Sequence, residues 1–278
     1  MTEKVAALVL TFNEEINIKD CIKSLNFTES VFVFDSYSND KTVELAEKSG
    51  ATVLKRKFDN YASQRNAALN SIPKEYNWVL MIDADERITP ELQTEILKNI
   101  SKPNNSNTLY RVRRKDQFMG KWIKRSSGYP TWFPRLFKNG QVTVDREINE
   151  EYNTAGNIAD LQNHLMHYPF SKGLAWWIER HNKYSSMEAK ALTTEFKQRI
   201  PWSLSYSNDP VERRKFQKQL IYRLPGRPRI IFFAFYILRR GFMDGIAGYR
   251  FCKLRMMYET MIDLKIKEKC LNDKNVNL

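Results

Sequence analysis

The sequence predicts an α/β fold in which a mostly parallel, doubly wound sheet is flanked by helices. Short apolar runs recur at VAALVL, VFVF and WVLMI, and each has the composition of a buried parallel strand. Helical patterns lie between these runs, and each run ends directly in a polar cluster. Strand and helix therefore alternate through the first 90 residues, as they do in sheets built from βαβ units.

Each element of this alternation follows from its own local pattern. Strands are predicted where the apolar runs are short and continuous, at residues 5–10, 31–34, 51–54 and 78–82. Helices are predicted at about residues 16–25, 42–48 and 66–69 and from residue 89 onward. Gly50 stands in the usual stop position behind the second helix. Beyond residue 108 the pattern changes to strands and turns, and from about residue 170 to helices.

The composition is that of a folded protein with an uneven charge distribution. A hydrophobic fraction of 42% and an aromatic fraction of 13% exclude the disordered class. The formal net charge is +13, and residues 211–270 hold 15 Lys and Arg against five Asp and Glu. Such an excess is typical of proteins that bind nucleic acid, anionic lipid or phosphorylated substrates. We expect no nucleic-acid partner, because no recognised binding module is present.

The cysteines and the N-terminal segment favour a cytoplasmic location. Cys21, Cys252 and Cys270 match no disulfide or metal-ligand spacing, which suits a reducing compartment. The first apolar run is short and breaks into acidic residues, so neither a signal peptide nor a spanning helix is predicted there.

The acidic cluster Asp83-Ala84-Asp85-Glu86 is the first candidate site. It places three carboxylates directly after the apolar run WVLMI, at the strand end where open α/β sheets bind ligands. Such crowding needs a counter-charge, and Mg²⁺ or Mn²⁺ would supply one while leaving positions for substrate phosphates. The alternative interpretation is a solvated acidic turn that caps the next helix.

Two further clusters indicate a nucleotide diphosphate. Asp35 follows its own strand and could accept hydrogen bonds from a base or a ribose. Gln64-Arg65-Asn66 offers a cation and two amides at a predicted helix start, and an Arg can neutralise a diphosphate. Taken singly, these residues are also explained as a turn Asp and a helix-start polar group.

Four segments together resemble glycosyltransferase family 2, and within it the branch of lipopolysaccharide-core glucosyltransferases. They are LTFNEE at 10–15, FDSYSNDKT at 34–42, QRN at 64–66 and IDADE at 82–86, in the order and spacing of the family. The second half matches more loosely through RLFKNG at 135–140, INE at 148–150, HY at 167–168, KYS at 183–185 and RGFMDG at 240–245. The resemblance covers about residues 5–260.

The resemblance implies a GT-A fold, with a helical, basic C-terminal extension, and a role for each matching residue. Asp35 would contact the uracil or other base, with Phe12 against it where many relatives carry Tyr. Arg65 would help to hold the nucleotide, Asp83 would contact the ribose or the metal, and Asp85 would ligate the metal. The full set of implied donor-binding residues is Thr11, Phe12, Asn13, Glu14, Asp35, Gln64, Arg65, Asp83, Ala84 and Asp85.

The implied reaction is an inverting transfer that needs a base on the face opposite the leaving group. Glu150 is the expected base, with Asp145 and Glu147 as rivals in the same acidic run. Asn149 stands where the branch usually carries a His, which argues against an imidazole there. The alternative for the whole run is a solvated charged turn.

Three regions are expected from these assignments. Residues 1–105 would form the donor-binding half, residues 106–210 the acceptor-binding half with the base, and residues 211–278 a basic membrane-associating region. The spacing of His164, His167 and His181 is irregular and favours structural roles over a metal site.

The basic region contains an apolar segment that is too short to span a bilayer. Residues 230–238 (IIFFAFYIL) are flanked by arginines on both sides, as in helices that lie in the lipid interface on anionic head groups. A dimer interface between C-terminal helices, or packing on the catalytic domain, is the alternative. The protein is therefore expected on the inner face of the cytoplasmic membrane.

The predicted function is transfer of a hexose from a nucleotide sugar, UDP-hexose above all, to a saccharide acceptor. The acceptor is expected to be lipid-linked, in lipopolysaccharide core or a similar envelope glycan. Two other functions fit parts of the sequence. A polyprenyl-phosphate sugar synthase would share the donor motifs but would need no base. A basic membrane- or nucleic-acid-binding adaptor would need neither the donor motifs nor a base.

Overall fold

The computed structural model describes residues 3–145, 151–196, 202–206, 216 and 220–275, and it divides the chain into two compact units. The first unit comprises Met1–Trp122 and Tyr129–Ser171, and the second comprises Ile123–Gly128 and Lys172–Leu278. The predicted three-region organisation concerns function and stays a prediction.

The first unit is built on one large mixed sheet with helices on both faces. Its strands are β1 (Val5–Thr11), β2 (Ser30–Asp35), β3 (Thr52–Lys55), β4 (Trp78–Asp83), β5 (Glu86–Arg87), β6 (Asn107–Phe118), β7 (Lys121–Trp122), β8 (Trp132–Lys138), β9 (Val142–Asp145), β10 (Glu151–Thr154) and β11 (Asn157–His167). Its helices are α1 (Ile18–Lys23), α2 (Thr42–Lys48), α3 (Tyr61–Asn70) and α4 (Pro90–Ile100).

The strand order β3-β2-β1-β4-β8-β6-β11-β5 separates a parallel half from a mixed half. Strands β1 to β4 pair in parallel, which confirms the predicted βαβ organisation of the front of the chain. Strand β8 is antiparallel to both β4 and β6, and β11 is parallel to β6. Strands β9 and β10 pair antiparallel in a separate small sheet.

Alternation along the central strands supplies both cores of the first unit. Ala7 and Val9 face the cluster that contains residues of α1, α2 and α4, whereas Ala6 and Leu8 face the cluster that contains residues of α3. Because both faces of β1 and β4 are covered, their side chains are apolar up to the last residue of each strand, as the continuous runs predicted. The polar residues that follow these strands therefore lie at the edge of the sheet.

Helix ends follow local capping chemistry. Helix α3 begins at Tyr61, five residues before the predicted start, because the Asn60 side chain accepts a hydrogen bond from the Ser63 N–H at 2.8 Å. Thr89 caps α4 ahead of Pro90. Helix α2 has the predicted bounds, and Gly50 behind it adopts φ +84°, a left-handed conformation that favours glycine.

The second unit is helical. Its longest described helices are α5 (Gly173–Phe196), α6 (Arg227–Phe233), which continues as a π-helical turn over Ala234–Leu238, and α7 (Gly245–Asn275). Residues 220–223 are also helical, and 3-10 turns cover Trp202–Tyr206 and Gly241–Asp244. Arg227 is fully buried and pairs with Glu259 of α7 at 3.1 Å and with Asp263 at 2.9 Å, which ties α6 to α7. Among the described residues, none of these helices has the length and apolar content that a bilayer span requires.

Candidate active site

The polar ends of β1, β2 and β4 meet at one edge of the parallel half of the sheet. The register pairs Thr11 with Asp35 and Leu10 with Asp83, so the motifs that follow these strands are neighbours. This is the edge at which open α/β sheets bind ligands. The structure thus brings together three of the predicted donor-site segments.

Asp35 lies fully buried at this edge and is held by its neighbours. Its Oδ1 accepts hydrogen bonds from the Thr11 hydroxyl at 2.9 Å and from the Ser38 hydroxyl at 2.5 Å, and its Oδ2 accepts one from the Ser38 N–H at 2.8 Å. A carboxylate offers about four acceptor positions, and these hydrogen bonds occupy three of them. Asp35 therefore shapes the loop behind β2.

The loops that follow β1 and β2 are joined by reciprocal hydrogen bonds. Asn13 donates its N–H to the Ser38 hydroxyl at 2.8 Å and accepts at its side chain from the Asn39 N–H at 2.9 Å. The Glu14 N–H donates to the Thr42 hydroxyl at 2.6 Å. Phe12, which precedes Asn13, is 56% exposed at the edge of the sheet.

The three residues of the QRN segment on α3 tie three different parts of the first unit. Gln64 donates to the Ser36 hydroxyl at 3.0 Å and accepts from Arg56 at 2.5 Å. Arg65 donates to Asp83 Oδ1 at 3.4 Å. Asn66 donates to the Val144 carbonyl at 2.7 Å and accepts from the Val144 N–H at 2.8 Å, which fixes β9.

The acidic cluster after β4 receives its counter-charge from two arginines. Arg135 donates from Nη2 to Asp83 Oδ2 at 2.8 Å and makes two further hydrogen bonds, at 2.9 and 2.8 Å, to the fully buried Glu86. Burial raises the pKa of Asp83, but the Arg135 and Arg65 guanidiniums outweigh it and hold that pKa well below its usual range. The sequence predicted that a metal ion supplies the counter-charge of this cluster. For Asp83 and Glu86, arginines of the chain supply it instead.

Asp85 belongs to a separate chain of polar contacts. Its Oδ2 lies 3.4 Å from His167 Nε2, and His167 Nδ1 lies 2.7 Å from Asp116 Oδ1, which in turn pairs with Arg114 at 2.9 Å. The antiparallel pairing of β5 with β11, which sets His167 opposite Glu86, brings the imidazole to the cluster. Burial and Arg114 lower the pKa of His167, but Asp85 and Asp116 raise it more, to about 9.

The chemistry of these side chains fits a divalent cation. Asp85 would supply a carboxylate oxygen. His167 would supply an imidazole nitrogen after the cation displaces the proton that Asp85 and Asp116 stabilise there. Asp116 would orient the imidazole through its other nitrogen, as metal-binding histidines are usually held. In the described part of the chain no group of three or more His, Cys, Asp and Glu side chains forms a complete cage. Two protein ligands would suit a cation that keeps positions for diphosphate oxygens.

The remaining predicted donor-site residues have structural contacts as well. Ala84 is buried, and its carbonyl accepts from Arg87 Nη1 at 2.7 Å, which fixes the backbone between Asp83 and Asp85. Glu14 accepts from the Asn17 side chain at 2.8 Å.

The predicted base lies in a part of the chain that the structure does not describe. Glu147 and Glu150 fall within residues 146–150, outside the described residues. Asp145 ends β9, is exposed, and accepts a hydrogen bond from Asn153 at 2.5 Å. Asn66 fixes β9 through the Val144 backbone, next to Arg65. The position of Asp145, where the acidic run begins, therefore depends on α3.

Three residues of the site were not predicted from the sequence as site residues. The irregular spacing of the histidines favoured a structural role for His167, whereas the structure places its imidazole beside Asp85. His167 and Arg135 stand in segments that resemble family landmarks, but their partners lie 82 and 52 residues away along the chain. Asp116 lies in the basic run RRKD, where nothing distinguishes it from a solvated carboxylate. Only the pairing of β6 with β11 shows that it contacts His167.

The family model for glycosyl transferase family 2 matches residues 7–158, which is more than half of the 278 residues. The chain belongs to glycosyltransferase family 2. The match contains the four donor-site segments and ends before His167. The family assignment, the α/β GT-A fold and the glycosyltransferase class of the enzyme are thereby confirmed.

Curated relatives extend the similarity over nearly the whole chain. An uncharacterized glycosyltransferase of Rickettsia conorii is 28% identical, over 99% of this chain and 94% of the relative. The lipopolysaccharide core biosynthesis glycosyltransferase LpsC of Rhizobium meliloti is 23% identical, over 95% of this chain and 92% of its own. Among solved structures, S. aureus TarS 1–349 is 15% identical with a TM-score of 0.44, covering 94% of this chain and 90% of that chain.

Proposed function

We propose that this glycosyltransferase is an inverting, metal-dependent enzyme that moves a hexose from a UDP-sugar to a saccharide acceptor. The observation that carries the proposal is the contact of Asp85 with a histidine that a second carboxylate orients, next to the Arg-paired Asp83. This combination suits a cation that bridges to a sugar donor's diphosphate. The edge of the sheet at which β1, β2 and β4 end would hold the nucleotide.

In this proposal Asp85 and His167 would hold Mn²⁺ or Mg²⁺, which would stabilise the charge that grows on the departing diphosphate. Asp83 would contact the ribose or the cation. Arg65 would add a fixed positive charge beside the diphosphate, because its guanidinium is already positioned at Asp83. These charged groups would already be in position before the reaction begins, so little reorganisation would be needed during it.

The nucleotide would lie across the ends of β1 and β2. The exposed ring of Phe12 would stack on the base, and the remaining acceptor position of Asp35 would receive a hydrogen bond from it. Thr11, Asn13, Glu14 and Gln64 would support this contact mainly by fixing the two loops.

Glu150 would take the proton from the attacking acceptor hydroxyl, with Asp145 and Glu147 as the rivals. The near full-length similarity to a lipopolysaccharide core glycosyltransferase supports a saccharide acceptor, lipid-linked and in an envelope glycan. Glu150→Gln should then lower kcat by about 10²-fold or more without weakening donor binding. Transfer that survives the corresponding substitutions of Glu150, Asp145 and Glu147 would instead favour the polyprenyl-phosphate sugar synthase, which needs no base.

A lipid-linked acceptor would place the enzyme at the inner face of the cytoplasmic membrane. The excess of Lys and Arg in residues 211–270 supports attraction to anionic head groups there. Association of C-terminal helices between two copies is the competing use of the same region.

The decisive experiment measures the melting temperature with UDP, with Mn²⁺ and with both. A bridging cation predicts that the two together raise it more than the sum of their separate effects, because each binds better in the presence of the other. Asp85→Asn should abolish this extra rise and the transfer of sugar, whereas Asp160→Asn, which changes a carboxylate paired with Arg111, should leave both unchanged. Full transfer by Asp85→Asn would refute the proposal, and a panel of nucleotide sugars would identify the donor.

A further inference from the structure

The corner between α6 and α7 exposes an unusual number of large apolar side chains. Exposed fractions range from 42% to 69% for Phe233, Ile237, Leu238, Phe242, Met243 and Ile246. All six lie between the end of α6 and the first turn of α7. Apolar surface concentrated in this way marks a contact with another molecule or with a membrane.

The same corner is held in shape by the side chains that turn inward. Phe232 stacks on Tyr236 at 5.3 Å, and Phe235 lies between the guanidiniums of Arg239 and Arg255, at 5.2 and 4.0 Å from its ring centre. A Cβ on Gly248 would come within 2.3 Å of the Gly241 carbonyl oxygen, so α7 and the turn approach closely. The outward side chains therefore form a preorganised surface.

The charge around the corner is predominantly positive. Between residues 220 and 258 the chain contains a single acidic residue, Asp244. Its Oδ2 already accepts hydrogen bonds from the N–H groups of Arg125 and Ser126, both at 2.8 Å, and from the Ser126 hydroxyl at 2.6 Å. Arg229 and Arg240 are exposed and make no ion pair or hydrogen bond through their guanidiniums within the described residues.

We propose that this corner inserts its six apolar side chains into the interfacial layer of a bilayer that contains anionic lipid. The inference rests on the proposed membrane association and names the element that carries it. The apolar side chains of the corner would contact acyl chains, and the arginines beside them would contact anionic head groups. A second copy fits less well, because a symmetric contact at this corner would bring like charges together.

The test is flotation of the full-length chain with vesicles of phosphatidylcholine, with and without about one third phosphatidylglycerol. The double variant Leu238→Gln and Phe242→Gln should weaken binding to the anionic vesicles by at least about tenfold. The matched control is Leu264→Gln with Leu271→Gln, which removes equally exposed apolar side chains of α7 outside the corner and should change nothing. Arg229→Gln with Arg240→Gln should weaken binding by about fivefold per arginine, on anionic vesicles alone.

The outcomes separate the two proposals. If the wild-type chain does not bind anionic vesicles, both membrane association and insertion of the corner are refuted. If wild type binds and the double variant of Leu238 and Phe242 binds equally well, only insertion of the corner is refuted. A dimer that this variant converts to monomer, in a chain that does not float, would assign the corner to a contact between copies.

Discussion

Arg135 donates from its Nη2 atom to Asp83 Oδ2 at 2.8 Å, and the same guanidinium holds the fully buried Glu86. The first and last carboxylates of the acidic cluster therefore share one guanidinium of β8, and Arg65 supplies the second positive charge at Asp83. This leaves Asp85, which turns toward His167, as the carboxylate best placed to bind a cation.

The first prediction concerns the stability that this arginine supplies. Arg135→Met should lower the free energy of unfolding by about 3–5 kcal/mol, because it leaves Glu86 buried without its partner. Chemical denaturation measures the change. Arg111→Met is the control, since it breaks an ion pair with Asp160 whose side chains are 43% and 31% exposed, and it should cost at most about 1 kcal/mol. Equal losses in the two variants would contradict the role assigned to Arg135.

The second prediction concerns the orientation of His167. Asp116→Asn should weaken Mn²⁺ binding by about 10- to 100-fold, because the carboxylate fixes the imidazole that would face the metal. The Mn²⁺ concentration that gives half-maximal transfer is the measurement. His167→Gln should have at least as large an effect, whereas His164→Gln should have none, since His164 stacks on Trp122 instead. Unchanged Mn²⁺ dependence in both Asp116 and His167 variants would exclude this metal site.

The third prediction concerns the link between α3 and β9. Asn66→Ala removes both hydrogen bonds to the Val144 backbone and should lower the free energy of unfolding by about 1–3 kcal/mol. Because β9 leads into the acidic run that holds Glu150, kcat should fall while UDP affinity is retained. Asn99→Ala, which loses its side-chain hydrogen bonds with the Glu95 carbonyl and with Lys102, serves as the control. A loss of UDP affinity equal to the loss of kcat would show that Asn66 acts on the donor instead.

The fourth prediction concerns the second unit and pH. Burial of His181 lowers its pKa, and Arg180 lowers it further, despite the hydrogen bond to the Trp177 carbonyl at 2.8 Å. A His whose pKa is depressed by folding contributes stability above its unfolded pKa of about 6.5, and this stability is lost as the pH falls below that value. Between about pH 7.5 and about pH 5.5 the melting temperature should fall further for wild type than for His181→Gln. Identical decreases would contradict the prediction.

Local patterns were sufficient for the parallel half of the fold. The runs that became β1, β2 and β4 are apolar because both faces of those strands are covered, and that requirement is visible in the residues themselves. Helix α3 starts five residues before its predicted start because Asn60 caps it. The mixed order of β8, β6 and β11 was not predicted, since strand pairing depends on contacts between distant segments.

The sequence alone determined which residues stand at the carboxyl ends of the strands, and hence that Asp35, Asp83 and Asp85 share one edge of the sheet. Tertiary structure decided what each of them contacts. Asp83 meets Arg135 because β4 pairs with β8, and Asp85 meets His167 because β5 pairs with β11. Hydrophobic periodicity is a property of neighbouring residues, whereas the partner of a charge depends on which strands are adjacent and in which register.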